Sequence, residues 1–294
     1  MTQQPIADAL LRQIRAVAER LPAPRVRRLH LPARVADACD DAPEAEFCGL
    51  ELDDGAFGLS FLLLGDTLRQ LIARCGSALA TTAAPLAGAD TLQLAAGFAS
   101  QDAGARALGL AAINALTQSA WRRLGWQPPP AGNSVGDMAL SAADHLGMIG
   151  CFTPLVEQVL ERGARLSIVE LDAAKVADLQ QRFPDVQATL DRSALAGCKQ
   201  VVGTSTMLLN DTLDEMLAAC SSAREFALIG PSAGLWPDAL FARGVTRIAG
   251  TQVVDGPAFA DAMARGERWG HAARKFAIGR AEWPGWQALL ARSA

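Results

Sequence analysis

Four short segments gather the residues of this chain whose types and spacing suit small-molecule chemistry: Gly150-Cys-Phe-Thr-Pro154, Glu170-Leu-Asp172, Gly203-Thr-Ser-Thr206 and Gly230-Pro-Ser-Ala-Gly234. Glu170 stands twenty residues beyond Gly150, where an acid binds ribose hydroxyls in dinucleotide enzymes. The glycine pattern of those enzymes is missing, with Cys151, Phe152, Thr153 and Pro154 in its place, so a plain solvated acid is the competing reading. Cys151 sits at a strand-to-helix turn, where a helix dipole lowers a thiol pKa and a thiolate suits soft metal ions. Alternatively it is a small buried hydrophobe. Three successive hydroxyls, Thr204, Ser205 and Thr206, suit an anion or polar ligand together with backbone N–H groups. They equally suit a loop that satisfies its own backbone. Asn210 reads as the N-cap of a helix carrying Leu213, Met216, Leu217 and Cys220, and Thr153 as the cap of a helix with Pro154 in its first turn.

Several chemistries have no matching spacing. His30, His145 and His271 are far apart, and His145 reads as structural. The six cysteines form no CxxC pair, so no structural zinc is expected. Neither a phosphate loop followed by lysine nor a serine-nucleophile turn is present.

The elements that position these segments are five short apolar runs, at 145–150, 165–170, 199–203, 225–230 and 245–250. Each stops at glycine or an acid, and helical periodicity fills most gaps between them. Strands buried on both faces and alternating with helices indicate a Rossmann-type parallel α/β sheet. Ligands of such sheets sit beyond the carboxyl ends of the strands. The expected ligand cleft is lined by Gly150, Phe152, Thr153, Glu170, Thr204, Ser205, Thr206, Asn210, Gly230 and Ser232. Asn114, from a buried helix over about 104–121, closes it.

The first half reads as an amphipathic helix over 4–21, strands near 25–31, 46–52 and 56–64 joined in part by an Asp53-Asp54-Gly55 turn, and helices near 66–75, 89–100 and 104–121. Gln127-Pro-Pro-Pro-Ala-Gly-Asn133 is the clearest linker. It divides an α+β domain, 1–130, from an α/β domain, 138–265. The tail, 266–294, is expected to pack back, because Trp269, Phe276, Trp283 and Trp286 are too apolar for water. A net charge of −4 gives no support for nucleic-acid binding. No segment reads as a signal peptide or membrane span, so a cytoplasmic protein with reduced thiols is expected. Homo-oligomerisation is compatible with the sequence.

The strand-end segments, in order, resemble the putative heavy-metal chelation domain family, a family of unknown function. The resemblance rests on Ile149–Val156, Ile168–Asp172, Gly203–Leu213, Leu228–Pro237 and Ile248–Asp255, with Gly109–Leu116 upstream. It implies an enolase N-terminal-like domain before the Rossmann-like one, with a site between them that handles a metal or a chelating small molecule. Cys151, a departure from the family pattern, adds weight to a soft-metal reading. The weak metal candidates are therefore Cys151 and Glu170.

Three functions follow: binding, with or without chemical processing, of a small anionic ligand or metal chelate; an S-adenosylmethionine- or nucleotide-dependent transferase; or a scaffold with well-packed turns.

Overall fold

The computed structural model describes residues 5–32, 47–62, 66–75, 86–132 and 138–292. Cys39, Asn133 and the Leu63-Leu64 end of the third expected strand lie outside them. In the first half, helix α1 (Ile6–Ala18) buries Ile6, Leu10, Ile14 and Val17 along one stripe. Strands β1 (Val26–His30), β2 (Phe47–Leu52) and β3 (Phe57–Phe61) form an antiparallel sheet in that order. The turn between β2 and β3 closes with Leu52 N–H donating to the Ala56 carbonyl at 2.9 Å, and Gly55 takes φ +81°. Helices α2 (Thr67–Cys75), α3 (Thr91–Ala96) and α4 (Ala103–Arg123) follow.

Every residue of α4 from Arg106 to Trp121 is buried. The sequence explains how: its contact faces are small, and its neighbours touch it backbone to backbone. A methyl on Gly58 would overlap the Ala111 carbonyl and the Ala115 amide, and one on Gly109 would overlap the Phe98 backbone. The absent side chains let β3 and the residues after α3 lie directly on the helix.

The second half is a seven-stranded sheet. Its strands are β4 (His145–Ile149), β5 (Arg165–Val169), β6 (Gln187–Thr189), β7 (Gln200–Thr204), β8 (Glu225–Ile229), β9 (Arg247–Val253) and β10 (Ala273–Gly279). They lie in the order β10-β9-β8-β7-β4-β5-β6, all parallel except β10, which runs antiparallel to β9. The chain steps outward from β4 to β6, then returns to β7 on the other side of β4. Helices α5 (Thr153–Glu161), α6 (Ala173–Arg182), α7 (Leu213–Ala219), α8 (Asp238–Phe241), α9 (Gly256–Arg265) and α10 (Trp286–Ala291) fill the intervals and the end.

Two strands escaped the apolar-run pattern. β6 has only three residues and two of them are polar. β10 lies beyond residue 265, so the sheet continues into what reads as a tail. The proline-rich linker is bonded to it: Ala277 N–H donates to the Pro129 carbonyl at 3.1 Å and Ala131 N–H to the Lys275 carbonyl at 3.2 Å. Prolines suit an outer edge because they carry no N–H to leave unpaired.

The halves interlock. Phe259 of α9 packs against Phe57 on the three-stranded sheet, ring centroids 5.3 Å apart, in space that Gly49 leaves open. That sheet therefore has α4 on one face and α9 on the other. At the far end of α4, Trp121 meets Trp126, Trp236 and Phe276, and Trp283 of the tail closes the cluster against Trp126 and Trp236. Asp238 ties this region down, accepting from Gln13 Nε2, Trp283 Nε1 and the Trp286 N–H.

His30 is buried beside the Phe57 and Phe259 rings, with Nε2 2.8 Å from the Glu51 carboxylate. Burial outweighs that carboxylate and holds its pKa below the ordinary histidine value. The unfolded chain therefore takes up a proton near pH 6.5 that the folded chain refuses, and stability falls as pH drops below that point. In His30→Gln, unfolding free energy should depend less on pH between 7 and 5, by urea titration at each pH.

Gly58→Ala should cost about 2–3 kcal/mol in denaturant unfolding, since it forces β3 off α4. Gly197→Ala, where a methyl meets nothing within 4 Å, should be close to neutral.

Candidate functional site

The reversal of strand order falls between β4 and β7, so the loops after these strands diverge from neighbouring carboxyl ends. Gly150 leaves β4 at φ +75°, and a methyl there would sit 2.9 Å from the Thr204 side chain at the end of β7. The two loops thus touch at their roots.

Glu170 governs the first loop. Its Oε1 accepts the Cys151 N–H at 2.6 Å, joining the end of β5 to the turn after β4. Oε2 makes no hydrogen bond to any described residue. Phe152, not Thr153, is the cap residue of α5, and its side chain makes no capping bond. Thr153 and Pro154 are the first two helical residues, one position later than their expected roles. The Phe152 ring is half-buried against the apolar cluster beneath α5. Cys151 belongs to the same cluster. Burial, chiefly, pushes its thiol pKa up; the Thr153 hydroxyl pulls the other way, and the Glu170 charge adds a smaller push upward. A helix dipole producing a reactive thiolate is not what this geometry gives.

The three hydroxyls after β7 are largely turned on their own loop. Thr204 Oγ1 accepts from the Thr206 N–H at 3.3 Å and from Thr206 Oγ1 at 3.1 Å, capping a 3-10 turn over Ser205–Leu208. Ser205 is buried, at the position where a side chain on Gly230 would fall. Asn210 does not cap α7. Its Oδ1 accepts from the N–H and hydroxyl of Thr212, at 3.3 and 2.7 Å, and the helix begins at Leu213. The reason is length: the 3-10 turn and Asp211, at φ +58°, use up the residues that the first helical turn would need.

Asn114 and Ser232 sit deeper. The Asn114 amide donates to the Leu59 carbonyl at 2.8 Å and the Ser232 carbonyl at 2.9 Å, while Ser232 Oγ accepts the Phe61 N–H at 3.0 Å. Both residues are buried. They stitch β3, α4 and the loop after β8 together. The expected residues thus fall into an accessible rim of Gly150, Cys151, Glu170, Thr204 and Thr206, and a buried brace of Asn114, Ser205 and Ser232.

One residue was missed. Arg106 reaches from α4 into the second half, ion-pairing with Asp211 and donating to the Ser100 carbonyl. Its signal in the sequence is a lone charge in an otherwise apolar helical stretch. Among the described residues no three His, Cys, Asp or Glu side chains converge to hold a metal ion, and no helix is long and apolar enough to cross a membrane. His145 is bonded to Ser167, at 2.8 Å, below the strand ends.

Two family models, both described as putative heavy-metal chelation, match residues 135–281 and 45–117. The chain belongs to this family. An uncharacterized protein of Methanocaldococcus jannaschii is 27% identical over 152 residues, which is 51% of this chain and 55% of that relative. The match therefore spans about half the length of the curated relative. Two crystal structures of proteins of unknown function from the family share the fold. The one from Pyrococcus horikoshii has a TM-score of 0.65 at 17% identity, and the one from Desulfitobacterium hafniense 0.63 at 20%. Each alignment covers 93% of this chain and 99% of the other. The family is thus a mixed α/β fold with a parallel-rich sheet, and its name points to a small metal-chelating ligand.

Because its thiol is protonated at neutral pH, Cys151 should alkylate with iodoacetamide at pH 7.5 several-fold more slowly than a free cysteine peptide, by peptide mass mapping. Glu170→Gln, which removes the adjacent charge, should speed it.

Proposed function

We propose that the protein binds a small metal chelate or hydroxyl-bearing ligand at the carboxyl ends of β4, β5 and β7. The observation that carries this is Glu170, at the end of the strand next to the reversal of strand order: one oxygen is held on the Cys151 N–H, and the other has no hydrogen-bond partner among the described residues. A free anion at that spot would meet a carboxylate, and like charges a few ångströms apart repel. A hydroxyl, an amine or a chelated cation would not. Cys151 and Glu170 alone make a poor cage for a bare soft ion, because structural sites close with four ligands and this thiol is held protonated. Their fit is to a metal that arrives already wrapped in an organic chelator, an anionic part of which can lie towards the uncapped start of α5. Arg106 and the Asn114 brace hold the loops from the α4 side.

The Rossmann-like reading of the second half is supported by the strand order, with β4, β5 and β6 running one way from the reversal and β7, β8 and β9 the other. The enolase N-terminal-like reading of the first half is supported by its antiparallel sheet followed by helices. The strand order also favours a second reading, a transferase using S-adenosylmethionine or a nucleotide.

Thermal shift and titration calorimetry with nickel, cobalt and copper ions, and with their citrate complexes, test the first reading. A ligand at a hundred times its dissociation constant adds about 2.7 kcal/mol of stability. At least one citrate complex should raise Tm more than the free ion does, and Glu170→Gln should remove most of that rise. Thr204→Val/Thr206→Val should weaken binding less, because those hydroxyls mainly serve each other. Equal responses from wild type and Glu170→Gln to every probe would overturn the proposal.

A further inference from the structure

Segments from the two ends of the chain meet on one carboxylate. Asp238, the first residue of α8, accepts from Gln13 Nε2 of α1 at 2.8 Å through Oδ2. Through Oδ1 it accepts from Trp283 Nε1 at 2.9 Å and from the Trp286 N–H, at the start of α10, at 3.3 Å. Helix α1 lies against α4 of the first half and α8 of the second. The Trp283 ring closes over Trp126 and Trp236, with centroids 5.0 and 5.8 Å away. Both terminal segments thus bridge the halves and fasten at the same point.

The point they fasten to ends the loop after β8, which lies on α4. Asn114, Gln118 and Trp121 share the α4 face of that seam, at helical spacing. The Asn114 amide donates to the Ser232 carbonyl, and Gln118 Nε2 to the Gly234 carbonyl at a long 3.4 Å. The remaining polar atoms are unmatched. Asn114 Oδ1, Gln118 Oε1, Trp121 Nε1 and, from the loop, Trp236 Nε1 are buried with no hydrogen-bond partner among the described residues. Water would satisfy each of them if the seam parted, so its closure carries a desolvation cost. Packing is also open at one point, since a methyl on Gly234 would lie at ordinary contact distance, 3.5 Å, from Asn114 and Gln118. The atoms lining that space forfeit dispersion contacts. Buried Leu235, Trp236 and Leu240 favour closure, and the terminal segments add to it.

We propose that the two terminal segments form a strap, with Asp238 as its catch, that holds the loop after β8 closed on α4. Helix α1, the tail and residues 230–241 open as one cooperative unit, below the free energy of global unfolding. Asp238 supplies the coupling: when either terminal segment lets go, the carboxylate that fixes the other loses part of its own support. The unit stays anchored just beyond α8, where Arg243 Nε donates to the Asp214 carboxylate at 3.0 Å. Opening moves the loop that carries Ser232 off the Asn114 brace, and so changes the α4 side of the strand-end loops without touching Glu170.

Hydrogen exchange of the full chain without ligand, read peptide by peptide by mass spectrometry, provides the test. Asp238→Ala strips three donors of their acceptor and should speed exchange roughly tenfold in α1, residues 230–241 and residues 283–291 together. Exchange in β2, β3, β4 and β5 should stay as in the wild type. Gln13→Ala is the milder variant and touches only the α1 side of the catch, yet it should also speed exchange at 283–291. Gly234→Ala fills the open space and should slow exchange at 230–241. A rise confined to the tail in Asp238→Ala, a rise spread evenly over β2 to β5, or a Gln13→Ala effect confined to α1 overturns the strap. Exchange at 230–241 that is not slowed in Gly234→Ala overturns the parting of the seam.

Discussion

The backbone-to-backbone contact of β3 with α4 is the constraint on which the rest of the structure depends. A helix buried on all sides must satisfy its neighbours without long side chains, and here alanines and two glycine contacts do so. Once β3 lies directly on α4, the opposite face of its sheet needs cover, and α9 from the second half supplies it with Phe259. The C-terminal end of the same helix carries Trp121, around which linker, loop, edge strand and tail assemble. Two sequence halves thus become one packed unit. A proline-rich stretch that looks like a hinge is hydrogen-bonded along the edge of β10.

That packing sets what the strand-end loops can do. The loop after β8 is pinned by Asn114 and the Phe61 amide, and the loop after β7 is anchored at Asp211 by Arg106. Their polar groups are used in holding position, which leaves the β4–β5 rim as the accessible chemistry. There the Glu170 carboxylate stands beside a half-buried thiol whose pKa burial pushes up. A buried amide bonded to two carbonyls is also costly to lose, since breaking it strands both acceptors. The brace is therefore a matter of stability first, acting on the rim through the position of the loops.

The alternation of short apolar runs with helical spacing made the parallel sheet legible, because strands covered on both faces have no polar side to confuse the pattern. The span of the buried helix was legible too: α4 begins and ends at residues 103 and 123 against an expected 104 and 121, whereas α1 and α3 are shorter than their periodicity suggests. What escaped had a physical cause in each case. β6 is too short to show a pattern, and β10 is held by pairing with β9 and the linker. Asn210 has a good capping side chain, but the 3-10 turn before it and the left-handed Asp211 shift the helix start by two residues.

By itself the sequence determined the alternating α/β order, the place of the strand-end segments, the family and the position of Glu170, since these depend on residue type and local spacing. Only tertiary structure decided which of those residues stay accessible and which are buried as braces. Whether a hydroxyl binds its own loop, whether an amide braces two sheets and whether a thiol is buried depend on neighbours distant in the chain. Glu170 shows the division: its identity and spacing suggested a ligand-binding acid, but its hold on the Cys151 amide came from the pairing of β4 with β5.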